Sequence, residues 1–137
     1  MRFTFRCPVR WDDMDAFGHV NNVTFLTYMQ EARTAMLFGG DAAEQIPDLI
    51  KGVVVARHEI DYRRPLEWRP APIEVDVWTA IVKPSSFTLR YEIRDQLADD
   101  GVVLAEAMTV LVPFDLVAGR HRRVSAAERD FLSRYLD

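Results

Sequence analysis

Between residues 11 and 22 the sequence reads WDDMDAFGHVNN, which puts three carboxylates (Asp12, Asp13, Asp15), a glycine (Gly18), an imidazole (His19) and two amides (Asn21, Asn22) into one short stretch. A carboxylate placed this way can attack an electrophilic carbon itself or take a proton from water. The stretch runs directly into the one long helical pattern of the chain. The first amides of a helix have no intrahelical acceptor and favour negative charge. Asp15 lies a few residues before that helix start. Gly18 permits the close backbone approach or positive φ that would bring carboxylate and amides to one reacting atom. Asp and Asn ahead of a helix also serve as caps and turn residues. On that reading Asn21 is a structural amide, and Asp12 and Asp13 are solvated or bonded to local backbone, with Asp13 the alternative carboxylate. His19 can orient a substrate or Asp15, or satisfy neighbouring backbone.

The elements that must position these groups follow from periodicity. Phe3, Phe5, Cys7 and Val9 share one parity, the pattern of a half-buried strand ahead of the polar stretch. From Asn22, NVTFLTYMQEARTAMLFGG predicts a helix with Val23, Leu26, Met29, Ala32 or Arg33, Met36 and Leu37 on one side. Asn21 or Asn22 caps its start, and Gly39 and Gly40 stop it. Asp41 with Glu44 reads as a capping box for a short helical turn that Pro47 limits. Gly52 then releases the chain into strands.

VVVARHEIDY is rich in β-formers. IEVDVWTAIV sets Ile73, Val75 and Val77 against Glu74 and Asp76, and FTLRYEIRD sets Phe87, Leu89, Tyr91 and Ile93 against Thr88, Arg90, Glu92 and Arg94. ADDG at residues 98–101 predicts a hairpin turn into VVLAEAMTVLVPF, and Ser125 with Glu128 predicts a capping box for a C-terminal helix through Tyr135. One long helix followed by consecutive strands with a wet face argues for an α+β domain spanning residues 1–137, its antiparallel sheet wrapped on the helix.

Composition narrows the function classes. Seventeen Lys and Arg against 21 Asp and Glu leave a formal charge of -4, so no global basic field attracts nucleic acid. The longest apolar run carries Glu106 and is too short to span a bilayer, and no apolar signal core opens the chain. Cys7 is the single cysteine, with no second thiol for a disulfide or a metal. A soluble, cytoplasmic protein without a metal is the expectation.

The segment RWDDMDAFGHVNNVTFLTYMQEAR, together with HEIDYRRPL at residues 58–66 and the three later strands, resembles the hotdog-fold thioesterases of the 4-hydroxybenzoyl-CoA and acyl-CoA thioesterase-like family. The resemblance covers most of the chain. It implies one long central helix wrapped by a curved antiparallel sheet, with two chains pairing into a continuous sheet and active sites at the interface. It assigns Asp15 as the catalytic carboxylate and the amide of Asn22 as the donor that polarises a thioester carbonyl. Where the 4-hydroxybenzoyl enzymes carry an aromatic-rich stretch, this chain has His19 to Asn22, which favours the acyl-CoA branch.

The resemblance implies hydrolysis of an apolar acyl thioester to acid and thiol, with Asp15 as nucleophile or general base. No cofactor is expected beyond the coenzyme A of the substrate. Glu31 on the helix is a rival carboxylate by analogy with other hotdog thioesterases; a solvated helical face explains it equally. Glu106 reads as a strand residue facing solvent or a partner. The family places nucleotide contacts at the VKPSSF turn, here Lys83, Ser85 and Ser86. Arg63, Arg64 and the run Arg120 to Arg123 either meet phosphates or are simply solvated. Phe25, Leu26 and Met29 either line an acyl tunnel or pack the core. The implied partners are an acyl-CoA or acyl-carrier-protein substrate and a second copy, as a homodimer or a dimer of dimers. The alternative function is a non-catalytic acyl-CoA or acyl-carrier-protein binding module. Hydration of an enoyl thioester would call for a His and acid in a motif the chain lacks.

Overall fold

The computed structural model describes residues 1–98 and 101–137. Asp99 and Asp100, half of the expected ADDG hairpin turn, lie outside the described residues. The helix after the polar stretch forms as α1 (Asn22–Phe38), capped by Asn21, whose side chain accepts the Val23 N–H. It stops at Gly39, where a Cβ would lie 2.6 Å from the Ala35 carbonyl oxygen, so only glycine lets the chain turn off there. The buried face is Phe25, Tyr28, Met29, Ala32, Arg33, Met36 and Leu37. The expected stripe therefore needs correcting at its start, because Val23 is 61% exposed. The sheet curls far enough round the helix to take the large aromatics of the first two turns instead.

β1 (Phe3–Cys7) precedes the polar stretch, which opens with a 3-10 turn over Trp11–Asp13. After α1 come the short α2 (Ala42–Gln45), a 3-10 turn over Pro47–Lys51, β2 (Val53–Tyr62), β3 (Ile73–Val82), β4 (Phe87–Asp95), β5 (Val102–Asp115), β6 (Arg120–His121) and α3 (Ala126–Ser133). Asp41 does sit at the start of α2, but its side chain makes no capping hydrogen bond. The expected capping box there is absent.

The sheet runs β1-β3-β4-β5-β2, all neighbours antiparallel, with β6 paired to the end of β5. Register shifts between Val55 and Arg57, Thr79 and Ile81, and Ile93 and Arg94 increase the local twist and curl the sheet around α1. Val75, Val77, Leu89, Tyr91, Ile93 and Ala105 supply the inner face and pack with Met29, Ala32 and Met36 in one core cluster. This is the α+β hotdog arrangement, one long helix in a curved antiparallel sheet with a short C-terminal helix.

The outer face carries an unusual row. Asp61, Glu106, Glu92 and Asp76 stand directly opposite one another across β2, β5, β4 and β3. Like charges so placed repel, and arginines compensate: Arg63 reaches Glu106 at 2.7 Å, Arg2 reaches Glu92 at 3.2 Å and Arg94 reaches Asp76 at 2.9 Å. Glu106 is accordingly an ion-paired strand residue.

The Ser125 and Glu128 capping box forms with both reciprocal hydrogen bonds, although α3 ends at Ser133, short of Tyr135. Glu128 is 1% exposed and accepts two hydrogen bonds from Arg122, at 2.8 and 2.7 Å. Arg122 thus leaves the group of candidate phosphate contacts and belongs to the packing of α3. Among the described residues no helix is long and apolar enough to cross a membrane.

Candidate active site

The polar stretch folds on itself before it becomes helix. Met14 and Val20 form an antiparallel bridge, the Asp15 N–H donates to the His19 carbonyl at 3.0 Å, and the Gly18 N–H donates to the Asp15 carbonyl at 3.1 Å. Gly18 closes the turn with φ of 80°, a left-handed conformation that a side chain would resist. Two further bonds fasten this loop to the body: Val20 N–H to the Leu66 carbonyl at 2.7 Å and Asn21 N–H to the Asp13 carbonyl at 2.9 Å.

Asp15 is half-buried, and each of its carboxylate oxygens has a partner. Oδ1 accepts the Phe17 N–H at 2.9 Å and Oδ2 accepts the Asn21 side-chain amide at 3.1 Å. Asn21 also accepts the Val23 N–H at 2.9 Å, so one side chain both caps α1 and orients Asp15. The Thr24 N–H is taken by the Asn21 carbonyl at 2.9 Å. That leaves Asn22, the first helical residue, as the amide with no intrahelical acceptor, standing at the positive end of α1. The Asn22 side chain is exposed. Asn21→Ala is expected to lower the free energy of unfolding by about 1 kcal/mol through the lost cap, read from urea melts.

A cleft of about 330 Å³ opens beside the helix start, lined by His19, Asn22, Phe25, Tyr62, Arg63 and Arg64 among others. Tyr62 escaped the sequence reading. Its hydroxyl donates to the Asn22 carbonyl at 2.7 Å and its ring stands edge-on to Phe25, centroids 5.5 Å apart. Burial raises the Tyr62 pKa, which keeps the hydroxyl a donor. The signal was its parity with His58 and Ile60 on β2, which turns it toward the helix. Phe25 is both core and a wall of this cleft, whereas Met29 is fully buried core.

Gly18 lines a second cleft of about 480 Å³ on the other side of the loop, with Trp11, Met14, Glu67 and Trp68. His19 is half-exposed, its Nε2 at 4.0 Å from Glu67. Asp15 itself is not among the residues lining either cleft; it is held in the loop that runs between them.

The other carboxylates separate clearly. Asp12 is exposed, while Asp13, the alternative to Asp15, is only 2% exposed. It accepts the Tyr28 hydroxyl at 2.6 Å, the Arg10 N–H at 2.9 Å and Arg10 Nε at 3.1 Å. Burial and the bond to Asp13 push the Tyr28 hydroxyl far above its ordinary pKa, so it remains the donor. The expected bond to local backbone is made, but Asp13 is a buried anchor between the loop and α1 rather than a solvated residue. Glu31 lies exposed farther along α1, beside a separate groove with Cys7 and Tyr28. Burial pushes the Cys7 thiol up to about 11, which removes it as a nucleophile near neutral pH.

Lys83, Ser85 and Ser86 form the turn between β3 and β4, closed by the Lys83 N–H on the Ser86 carbonyl at 2.8 Å. The Asp15 loop lies near the Ile73 end of β3, where Cys7 pairs with Ile73. Ten residues of strand, roughly 30 Å, separate that end from the Lys83 turn. One chain does not bring these residues together with Asp15.

The model of the thioesterase-like superfamily matches residues 9–134. The chain is 32% identical to a thioesterase from Thermus thermophilus whose structure holds coenzyme A and zinc, over 96% of this chain and 92% of that one, with a TM-score of 0.78. A predicted thioesterase from Bacillus stearothermophilus is 25% identical and superposes over 100% of this chain and 98% of its own with a TM-score of 0.84. A 1,4-dihydroxy-2-naphthoyl-CoA thioesterase from Synechocystis, at 20% identity and TM-score 0.79 over 97% and 96% of the two chains, shares the fold. A search of curated proteins finds no match. The chain belongs to the thioesterase-like superfamily and is, by that membership, a thioester hydrolase.

Proposed function

We propose that this protein hydrolyses acyl-CoA thioesters with an apolar acyl group, Asp15 supplying the carboxylate and the Asn22 backbone amide holding the carbonyl oxygen. The observation that carries this reading is the double role of Asn21, which fixes the Asp15 carboxylate and the first turn of α1 with one amide group. Each Asp15 oxygen accepts one hydrogen bond, which leaves lone-pair capacity for chemistry. In one route Asp15 attacks the thioester carbon and the C–S bond breaks, giving a thiolate and a mixed anhydride that water cleaves. In the other, Asp15 takes a proton from water as the water attacks, and the thiolate leaves after collapse of the tetrahedral intermediate. Both routes place negative charge on the carbonyl oxygen, where a pre-positioned amide stabilises it. His19 stands at the cleft to orient substrate, and Phe25 and Tyr62 give the apolar wall.

The working unit is a homodimer formed through β2. This ten-residue strand is an open edge of the sheet, exposed at every position except Val53 and Ile60. Such an edge calls for a partner. Antiparallel pairing of two copies of β2 about a two-fold axis turns the Lys83 turn of the partner subunit toward the end of the sheet that carries Asp15. Lys83, Ser85 and Ser86 then serve a site built from both chains, and coenzyme A is the substrate's own thiol. The test is thiol release from a panel of acyl-CoA chain lengths by purified protein, together with its mass in solution. Turnover by a dimer is the expected result. Binding without turnover across the panel would replace the hydrolase reading with a binding module, and a monomer at all concentrations would remove the shared site.

A further inference from the structure

The sequence puts two arginines side by side in DYRRPL, and the structure treats them differently. Arg63 is neutralised by Glu106 at 2.7 Å. Arg64 forms no ion pair among the described residues, yet it lines the same cleft as Asn22, His19 and Tyr62. Its backbone is fixed by its N–H on the Leu104 carbonyl at 3.0 Å and by Pro65 after it, so the guanidinium stands on a firm base. The positive end of α1 faces the same space. A guanidinium without an ion pair among the described residues, beside a helix N-terminus, makes the mouth of this cleft electropositive in a chain whose formal charge is -4.

We infer that Arg64 is a specificity residue that binds a phosphate on the thiol side of the thioester, so that the cleft selects phosphorylated pantetheine thioesters over neutral ones. The inference rests on the thioesterase reading above. A guanidinium suits this task because its planar fork gives paired hydrogen bonds to phosphate oxygens. Lys83 cannot do the same within one chain, since it stands at the far end of β3. The phosphate has two sources, the nucleotide end of coenzyme A and the pantetheine 4′-phosphate that coenzyme A shares with carrier proteins.

The experiment compares one apolar acyl group carried on coenzyme A, on 4′-phosphopantetheine and on unphosphorylated pantetheine. Arg64→Ala is expected to raise KM for the acyl-CoA by about tenfold with little change in kcat, and to leave KM for the pantetheine thioester near the parent value. Arg64→Lys, which keeps the charge, should recover part of the loss. Arg63→Ala should show no difference between phosphorylated and unphosphorylated substrates, because its guanidinium is committed to Glu106. A loss on both phosphorylated substrates locates the contact at the shared phosphate, and a loss on coenzyme A alone locates it at the nucleotide; either supports the inference. An equal loss on all three thioesters overturns it while the hydrolase stands. Absence of turnover by the parent on every thioester sinks the hydrolase reading and this inference with it.

Discussion

Asp15→Asn is expected to lower kcat on the best acyl-CoA by about 10²- to 10⁴-fold, the usual range for a lost catalytic carboxylate, while the protein stays folded. The substitution keeps the shape of the side chain. It removes the charge and turns one oxygen into an amide, which can no longer accept from both Phe17 N–H and the Asn21 amide. One lost hydrogen bond at a half-buried site costs about 1 kcal/mol, so the urea midpoint should move only slightly while thiol release collapses. A variant as fast as the parent would take Asp15 out of the chemistry. The buried Asp13 makes the matching contrast, since its loss strands the Tyr28 hydroxyl and Arg10 and would show in stability first.

The largest stability effect belongs to Arg122. Replacing it with Met leaves the Glu128 carboxylate, 1% exposed, without its bidentate partner. Breaking a buried pair from one side costs about 3 kcal/mol or more, read as a drop in the free energy of unfolding from chemical denaturation. The pH dependence gives a second readout. Burial alone would raise the Glu128 pKa, but the hydrogen bonds from Arg122 and the Ser125 amide outweigh it and hold the carboxyl below its ordinary 4.5. A depressed native value means that the unfolded chain takes up the proton first on acidification. The contribution of the pair is therefore complete above the unfolded value and fades as the pH falls through the folded one. The stability gap between parent and Arg122→Met should be constant near neutrality and close in acid. A gap that widened in acid would contradict the assignment of Glu128.

These two sites mark how far the sequence could be read. The strands were legible because alternation is local: Phe87, Leu89, Tyr91 and Ile93 point inward as their parity demands. The Asn21 cap and the Ser125 box were legible because capping is decided within four residues. Placing Asp13 required knowing that Tyr28, fifteen residues away, would reach it from the helix. Arg122 looked like one more cation in a solvated run because its partner is defined by the docking of α3, not by spacing. Val23 was misassigned for a related reason, since the width of the buried face is set by how far the sheet curls. The Lys83 turn fell outside a single-chain site because sequence order says nothing about which end of a strand meets a neighbour.

The Asn21 side chain has one further consequence. Because it ties the Asp15 carboxylate to the first turn of α1, the two cannot loosen separately. Fraying of that one turn, a far cheaper event than opening the sheet, would silence the chemistry proposed for Asp15 in a molecule that every global probe still reports as native.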